Sequence, residues 1–553
     1  MSGLGREGST GADGDGRPPF PAGPAGPAVC SWCGELPAES DPLIRGLHQR
    51  CGVARGKWVS AQVWAGGGVF DPHPRGATGG SVEVEVPVGP PRPGRSTAAG
   101  SEVVEQNLVA SLRRRLLHGS TWLSVGRVGG VVLGVGINAL LARLLTHAEF
   151  GAYFTSYTLM FVGGLIAQLG LDRAVVRLVS AAVGTGRAGR ARQAIRVVLG
   201  VGSVASVVLT VILTFGLGPW FAGHVLHSDL IASALPLVAA WLLVAAIQSL
   251  FVETFRGLQR FDQATLFDAI LVDVLLAMTF GLLYTFRAHI TLGVAIGLTV
   301  GFTALITLLG GIFLRRQVVQ LNGPGTASRA EVMSIAWPSL FSNLAAYLVG
   351  SGVDLLVLGH FRPQQVVGLY AAASRLGMLV ANPLMIVGGV LPPLVAELYA
   401  RGRMRELERA VRVGATLAGV PAFVMLLAFV IFGRQVMAGL YGPYYAAGAS
   451  ILAILSAARM FGVWAGSCGI TLIMTGHQKA MMYTTIISAA VSVTGDIVAA
   501  MYFGPVGVAV ATGTAIVLQN AMQLLLARRL VGVWTQVDLR PRALMGFVSG
   551  RAL

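Results

Sequence analysis

The sequence predicts an all-α polytopic membrane protein with twelve transmembrane helices in two pseudo-symmetric six-helix lobes. The chain of 553 residues is 54% hydrophobic and only 12% charged, whereas soluble domains contain about 25% charged residues. Apolar runs of about 20 residues recur from Gly119 onward, and each is long enough to cross roughly 30 Å of hydrocarbon as a helix. The chain also repeats itself at an offset of about 216 residues.

Twelve apolar runs, called spans 1 to 12, are the predicted membrane helices. Strands of a membrane barrel alternate apolar and polar residues over about ten positions. These runs are continuously apolar, so helices are the structure that satisfies their backbone groups in lipid. The predicted spans are 119–141, 151–171, 194–218, 230–251, 264–286, 290–313, 334–359, 366–391, 411–433, 446–474, 481–503 and 505–527.

Basic residues in the connections predict the orientation. With the N-terminus inside, the inside segments hold 25 Lys and Arg residues and the outside connections hold 4, so both termini are predicted to be cytoplasmic. The net charge of +16 then lies beside the negative cytoplasmic surface of the membrane. We therefore expect membrane lipid as a partner and no nucleic acid. The composition also excludes a soluble enzyme.

Four pairs of segments, in the same order in both halves, define the repeat. They are GVGINALLARLLTHAEFGAY and GSGVDLLVLGHFRPQQVVGLY, GRAGRARQAIRV and GRMRELERAVRV, FRGLQR and IMTGHQK, and LGVAI and VGVAV. Because each half has an even number of spans, both halves enter the membrane from the same side. We predict a first lobe over 119–314, a cytoplasmic linker over 315–333, a second lobe over 334–530 and a cytoplasmic tail over 531–553. A cavity is expected between the lobes.

Motifs of the second half resemble those of the polysaccharide transporter (Wzx-type oligosaccharide flippase) family, within the multidrug/oligosaccharidyl-lipid/polysaccharide exporter superfamily. The motifs are DLLVLGHF, VGLYAAASRLGMLV, PPLVAELYARGR, LYGPYYAAGASIL and MTGHQKAMM. The resemblance implies a flippase in the bacterial cytoplasmic (inner) membrane, which moves undecaprenyl-pyrophosphate-linked oligosaccharide units by alternating access during cell-surface polysaccharide biosynthesis. Partners would be the polyprenyl-linked oligosaccharide and other polysaccharide-assembly proteins.

Three arginines within spans are the candidate substrate-binding residues. Arg127, Arg375 and Arg459 lie in spans 1, 8 and 10, where a charge costs roughly 2.5 to 3.5 kcal/mol unless it meets water or a partner. A guanidinium binds phosphate oxygens bidentately, so a cationic lumen would suit a pyrophosphate headgroup. The alternatives are pairing with carboxylates that hold helices together or, for Arg127, snorkelling to the cytoplasmic face.

Three aspartates within spans are the candidates for ion coupling. Asp273, Asp354 and Asp496 lie in spans 5, 7 and 11, and a membrane carboxylate is suited to couple a proton or a sodium ion to transport. Capping or pairing within the bundle is the structural alternative. Polar residues of the spans would contact sugar hydroxyls or hydrogen-bond between helices; they are Gln168, Gln248, Asn343 and Asn382.

The first hundred residues are predicted to be a disordered cytoplasmic tail, because they are rich in Gly and Pro and poor in periodic apolar positions. An over-long gene assignment is the alternative explanation for this segment. Residues 101–118 are predicted to form an amphipathic lead-in. Within 30–51, the spacing of four side chains fits a tetrahedral structural zinc site: Cys30, Cys33, His48 and Cys51.

The sequence predicts no enzyme, because its short connections carry neither a G-x-S-x-G motif nor a P-loop. The rival function within the superfamily is a multidrug or small-molecule cation antiporter, which would favour an acidic lumen. A membrane-embedded transferase is the rival of another class.

Overall fold

The computed structural model describes residues 129–350, 353–389 and 391–538, and every regular element there is helical. Predictions for 1–118, for Arg127 and for 539–553 therefore lie outside the described residues. All described residues belong to one compact unit, Arg95–Leu553. The helices that correspond to the twelve spans are Gly129–Leu144, His147–Gln168, Ala188–Phe215, Asp229–Gly257, Phe261–Thr285, Leu292–Gln320, the pair Arg329–Gly350 and Val353–Phe361, Gln364–Gly388, Met404–Tyr441, Pro443–Ala465, Gln478–Tyr502 and Gly504–Val531.

These helices confirm the predicted all-α polytopic fold. Within the described part of the chain, ten helices are long and apolar enough to cross a membrane. The bent pair of span 7 makes an eleventh, and the shorter apolar helix Gly129–Leu144 corresponds to span 1. Several boundaries differ from the prediction by a few residues, and one difference changes the predicted linker. The helix of span 6 continues to Gln320 and that of span 7 begins at Arg329, so most of the predicted linker is helical.

Span 2 begins where its sequence encodes a helix start. Thr146 and Glu149 form a capping box, in which the Glu149 amide donates to Thr146 Oγ1 (3.3 Å) and the Thr146 amide to Glu149 Oε2 (3.1 Å). The other carboxylate oxygen of Glu149 accepts a hydrogen bond from the amide of Leu292 (3.1 Å). The cap therefore also fixes span 2 against the start of span 6.

Span 5 contains a π-helical turn over Leu266–Ile270, between α-helical segments at Phe261–Thr265 and Leu271–Thr285. Such turns leave backbone groups without regular helical partners and are frequent at functional sites. Gln248 Nε2 donates to the carbonyl oxygens of Phe267 (2.9 Å) and Asp268 (2.8 Å). Span 4 thus satisfies the backbone that the irregular turn of span 5 exposes.

The two halves meet closely along spans 2 and 8. A Cβ atom added to Gly151 would lie 1.8 Å from the carbonyl oxygen of Gln364, so only glycine permits this approach. Thr155 Oγ1 donates to Gln364 Oε1 (3.1 Å) beside it. A similar approach joins Gly170, whose φ is +74°, to the backbone of Ala336 at the start of span 7. Small residues therefore set the spacing between the halves.

One hydroxyl pair occurs in both halves at close to the offset of the sequence repeat. Tyr153 of span 2 and Thr299 of span 6 have side-chain oxygens 3.4 Å apart. Tyr370 of span 8 and Thr512 of span 12 form the matching pair, also at 3.4 Å. The internal repeat is thus visible in side-chain contacts as well as in the order of helices.

The segment after span 12 packs against the second half. Thr535 Oγ1 donates to the carbonyl oxygen of Ala465 (2.7 Å), and the amide of Val537 donates to the carbonyl oxygen of Trp464 (2.9 Å). Asp538 lies 3.3 Å from a guanidinium nitrogen of Arg412. The first residues of the predicted C-terminal tail, which we call the C-terminal strap (532–538), therefore tie together spans 9 and 10.

Candidate functional site: a cavity between the halves

A cavity of about 770 Å³ lies between the two halves, which agrees with the prediction from the repeat. Its walls come mainly from spans 1, 2, 4, 5 and 6, and spans 7 and 8 complete them. The volume suits a ligand of the size that deep protein pockets bind. Its polar and charged lining residues are Asn138, Gln168, Asp172, Gln248, Ser249, Asp268, Asp273, Thr299, Thr303, Asn343 and Arg375.

Arg375 is the lining cation contributed by span 8. Its guanidinium carbon lies 4.8 Å from the ring centre of Tyr157 and 5.3 Å from that of Phe154. Cation–π contacts of this kind hold the side chain in place without neutralising it. Among the described residues, no carboxylate lies within 4 Å of its nitrogens. Arg375 is therefore positioned to meet an anionic group in the cavity.

Three aspartates line the same cavity. Asp273 of span 5 was predicted, and Asp268 lies in the π-turn of that span. Asp172 follows span 2 and accepts a hydrogen bond from Asn343 Nδ2 of span 7 (2.9 Å). Asp268 pairs with Arg256 (2.8 Å), which also pairs with Glu253. The cavity thus contains both charges, with carboxylates in excess.

Asp354 and Asp496 lie together within the second half. Both are buried, with 6% and 1% of their surfaces exposed. Tyr370 OH donates to Asp354 Oδ2 (2.8 Å), and Thr512 Oγ1 donates to Asp496 Oδ1 (3.0 Å). Ser492 Oγ donates to the other oxygen of Asp496 (3.2 Å). Because Tyr370 and Thr512 also contact each other, the two carboxylates belong to one network.

Arg459 of span 10 belongs to the neighbourhood of this network. It interacts electrostatically with Asp354 and Tyr370, and it is not among the residues that line the cavity. The structure therefore brings Arg375 and Asp273 to one site, and Arg459, Asp354 and Asp496 to another. Arg127 and the predicted zinc ligands Cys30, Cys33, His48 and Cys51 lie outside the described residues. Their roles stay predictions.

Side-chain contacts join the two halves near the ends of their spans. Where span 2 begins, the His147 ring stacks on that of Tyr444 at 4.0 Å, and Phe150 packs edge-on against Tyr445 at 5.4 Å. Arg143 Nε donates to the carbonyl of Leu440 (3.2 Å). By the predicted orientation this is the outer end. Near the opposite end, Arg190 pairs with Glu331 at 2.5 Å.

Some residues of both sites escaped the sequence interpretation. Asp172 falls just after predicted span 2, so a search for charges within spans passed over it. Tyr370 and Thr512 are not conspicuous individually, because hydroxyl residues are common in membrane helices. Their match to Tyr153 and Thr299 in the aligned halves was the signal that could have found them.

The comparisons with known proteins agree on family and fold. The family of polysaccharide biosynthesis proteins matches residues 116–399, just over half of the chain. The chain is 22% identical over 221 residues to the probable low-salt glycan biosynthesis flippase Agl15 of Haloferax volcanii. That match covers 39% of this chain and 46% of Agl15, so it spans less than half of this curated relative.

Two solved structures have a similar fold. The inward-facing conformation of a multidrug resistance MATE family transporter of the MOP superfamily has a TM-score of 0.60 at 14% identity, covering 74% of this chain and 98% of that one. The inward closed conformation of the lipid II flippase MurJ has a TM-score of 0.55 at 13% identity, covering 74% and 87%. At these identities the likeness concerns the fold alone.

Fold and cavity place this chain among multi-span membrane proteins built like MATE transporters and MurJ. Within that class, the chain belongs to the family of polysaccharide biosynthesis proteins. The family resemblance seen in the sequence motifs is thereby confirmed.

Proposed function

We propose that this protein is a flippase that translocates undecaprenyl-pyrophosphate-linked oligosaccharide units across the bacterial cytoplasmic membrane for cell-surface polysaccharide assembly. Arg375 is the observation that carries the proposal, because it presents a fixed positive charge to a cavity between two matching halves. The family membership and the flippase name of Agl15 support the same function. The glycan headgroup would cross through the cavity, and the polyprenyl tail would stay in lipid.

Substitution of Arg375 tests this function. In a deletion strain of the native host, we expect Arg375→Ala to reduce surface polymer by at least about tenfold, since a charged hydrogen bond to phosphate contributes about 1.5–3 kcal/mol. Arg375→Lys should keep part of the activity, because it retains the charge and loses the bidentate geometry.

The matched control is Arg434→Ala, an exposed arginine that does not line the cavity. It should give normal polymer at equal membrane levels. Full surface polymer in the Arg375→Ala strain would contradict the proposed role of the cavity. Arg459→Ala is expected to reduce polymer as well, through its position beside Asp354.

The buried network of the second half supports a coupling role for Asp354 and Asp496. Three hydroxyl hydrogens, from Tyr370, Thr512 and Ser492, serve four oxygen–oxygen contacts. When both carboxylates are ionised, all three hydrogens are donated to carboxylate oxygens. No hydrogen then remains for a hydrogen bond between Tyr370 and Thr512. A proton on one carboxylate would complete the network, and a sodium ion would offset the one negative charge that Arg459 leaves uncompensated.

Reconstituted vesicles distinguish these two ions. Wild-type protein should show transport of a labelled lipid-linked oligosaccharide that responds either to a pH gradient or to a sodium gradient. Asp496→Asn should abolish that response, and the exposed Asp229→Asn should keep it. A response that persists in Asp496→Asn would remove the coupling role from this network. Asp273→Asn then becomes the next variant to test.

A second candidate function is a multidrug or small-molecule cation antiporter. The three aspartates of the cavity favour it, because carboxylates and aromatic rings together bind organic cations. Increased drug sensitivity of the deletion strain, with normal surface polymer, would support this function over the flippase. Both terminal segments are proposed to be cytoplasmic in either case, from the distribution of Lys and Arg.

A further inference from the structure

The cavity carries a net negative formal charge apart from Arg375. Asp172 and Asp273 each contribute one negative charge to the lining. Glu253, Arg256 and Asp268 form a group with two carboxylates and one guanidinium, which leaves one more. A single cation on span 8 thus faces a wall of uncompensated carboxylates on the first half.

Two of these carboxylates have oxygens that no described residue satisfies. Asp172 Oδ2 accepts from Asn343, whereas its Oδ1 is buried without a hydrogen-bond partner among the described residues. The carboxylate of Asp273 has neither a hydrogen bond nor an ion pair within the described part of the chain. Buried polar atoms in native proteins nearly always have partners, so Asp172 Oδ1 indicates a ligand or water that donates a hydrogen bond. Asp273 is half-buried, and its carboxylate is open to the cavity.

Aromatic rings form part of the cavity wall. Phe161 stacks on Tyr347 across the halves with ring centres 4.7 Å apart, and Tyr157 packs edge-on against Trp241 at 5.6 Å. All four line the cavity. Such rings pack on the apolar faces of sugar units, and carboxylates accept strong hydrogen bonds from hydroxyl and ammonium groups.

Arg375 and Asp172 occupy different levels of the cavity. Arg375 lies beside Tyr157, in the middle of span 2, and Asp172 follows the end of that span. From Tyr157 to Gln168 the helix rises about 16 Å. One ligand can therefore place a phosphate against Arg375 and a different group against Asp172.

We propose that the cavity selects glycans whose sugar units carry hydroxyl and ammonium groups, and rejects acidic sugars such as uronic acids. This inference rests on the proposed flippase function and names its substrate class. A pyrophosphate at Arg375 leaves the sugars beside Asp172 and Asp273. In this partly desolvated site, the negative charges of Asp172 and Asp273 attract an ammonium group on a sugar and repel a carboxylate group.

Three short-chain probes test the selectivity: farnesyl pyrophosphate linked to glucosamine, to glucose and to glucuronic acid. Binding is measured by titration of the purified full chain in lipid nanodiscs at about 0.1 M salt. We expect the glucosamine probe to bind at least about tenfold more tightly than the glucuronic acid probe. The glucose probe should lie between them.

Variants locate the selectivity in the cavity. Asp172→Asn with Asp273→Asn should lower the ratio of the two affinities by about tenfold, mainly by improving binding of the glucuronic acid probe. The matched control Asp229→Asn, which does not line the cavity, should keep the ratio. If the double variant does not fold, Asp273→Asn alone serves, since its carboxylate has no described partner.

The outcomes separate this inference from the function on which it rests. Equal or tighter binding of the glucuronic acid probe to the wild type would overturn the glycan selectivity and leave the flippase intact. An unchanged affinity ratio in the variants would also overturn it. Failure of all three pyrophosphate probes to bind, with binding of tetraphenylphosphonium, would overturn the flippase and favour the cation antiporter.

Discussion

The two matching tyrosine–threonine pairs have opposite surroundings. Tyr153 and Thr299 face the cavity between the halves, whereas Tyr370 and Thr512 lie inside the second half and connect two buried aspartates. At the position of Asp354, the first half carries Asn138, which lines the cavity. The same repeated scaffold therefore supports a site open to ligands in one half and a closed charged network in the other.

The largest expected effect comes from removing the carboxylate of Asp354, at the repeat position where the first half has Asn138. Asp354→Ala would leave the Tyr370 hydroxyl and the nearby charge of Arg459 without this carboxylate. Losing one partner of a buried charged arrangement costs about 3–5 kcal/mol. We expect a marked loss of monodisperse protein by gel filtration after heating, compared with the wild type.

Asn138→Ala is the matched variant at the cavity wall, where water can replace the lost amide. It should lose less than half as much folded protein under the same heating. Similar losses in the two variants would show that the distinction between an open and a closed site has no energetic basis.

A smaller difference is expected between the two tyrosines. Tyr370→Phe leaves Asp354 Oδ2 without its donor, which costs about 1–3 kcal/mol for a buried acceptor. Tyr153→Phe removes a long contact beside the cavity and should cost less than about 1 kcal/mol. Thermal unfolding of the two variants in the same detergent measures the difference, and a reversed order would contradict the assignment of surroundings.

The smallest expected effect concerns the C-terminal strap. Asp538→Asn weakens the ion pair with Arg412. It should cost only about 0–1 kcal/mol, because the amide oxygen still accepts a hydrogen bond and Arg412 keeps its pair with Glu408. Faster hydrogen exchange of the amide of Val537 is the measurement. Glu397→Gln, which breaks the more exposed pair with Arg401, serves as the control and should leave the strap unchanged.

Hydrophobicity and the repeat predicted the number, order and class of the spans, because those properties depend on length and composition alone. They could not predict which way Arg459 faces, since a span that is apolar on all sides does not indicate how its helix is rotated about its axis. The π-turn of span 5 could not be predicted either, because one extra residue in a helical turn leaves the apolar composition of the span almost unchanged. Arg375 and Asp273 were found because a charge within an apolar run is itself unusual.

The irregular turn of span 5 has a consequence for how its two aspartates are aligned. In a regular α-helix, at 3.6 residues per turn, positions five apart point about 140° away from each other. A wider turn, bonded five residues apart, brings Asp268 and Asp273 round toward the same side, and both line the cavity. Deletion of Leu266 or Phe267, which restores a regular helix and keeps the two aspartates five residues apart, should therefore turn one carboxylate about 140° away from the other. Deletion of Ile270 would instead leave them four residues apart and on the same side.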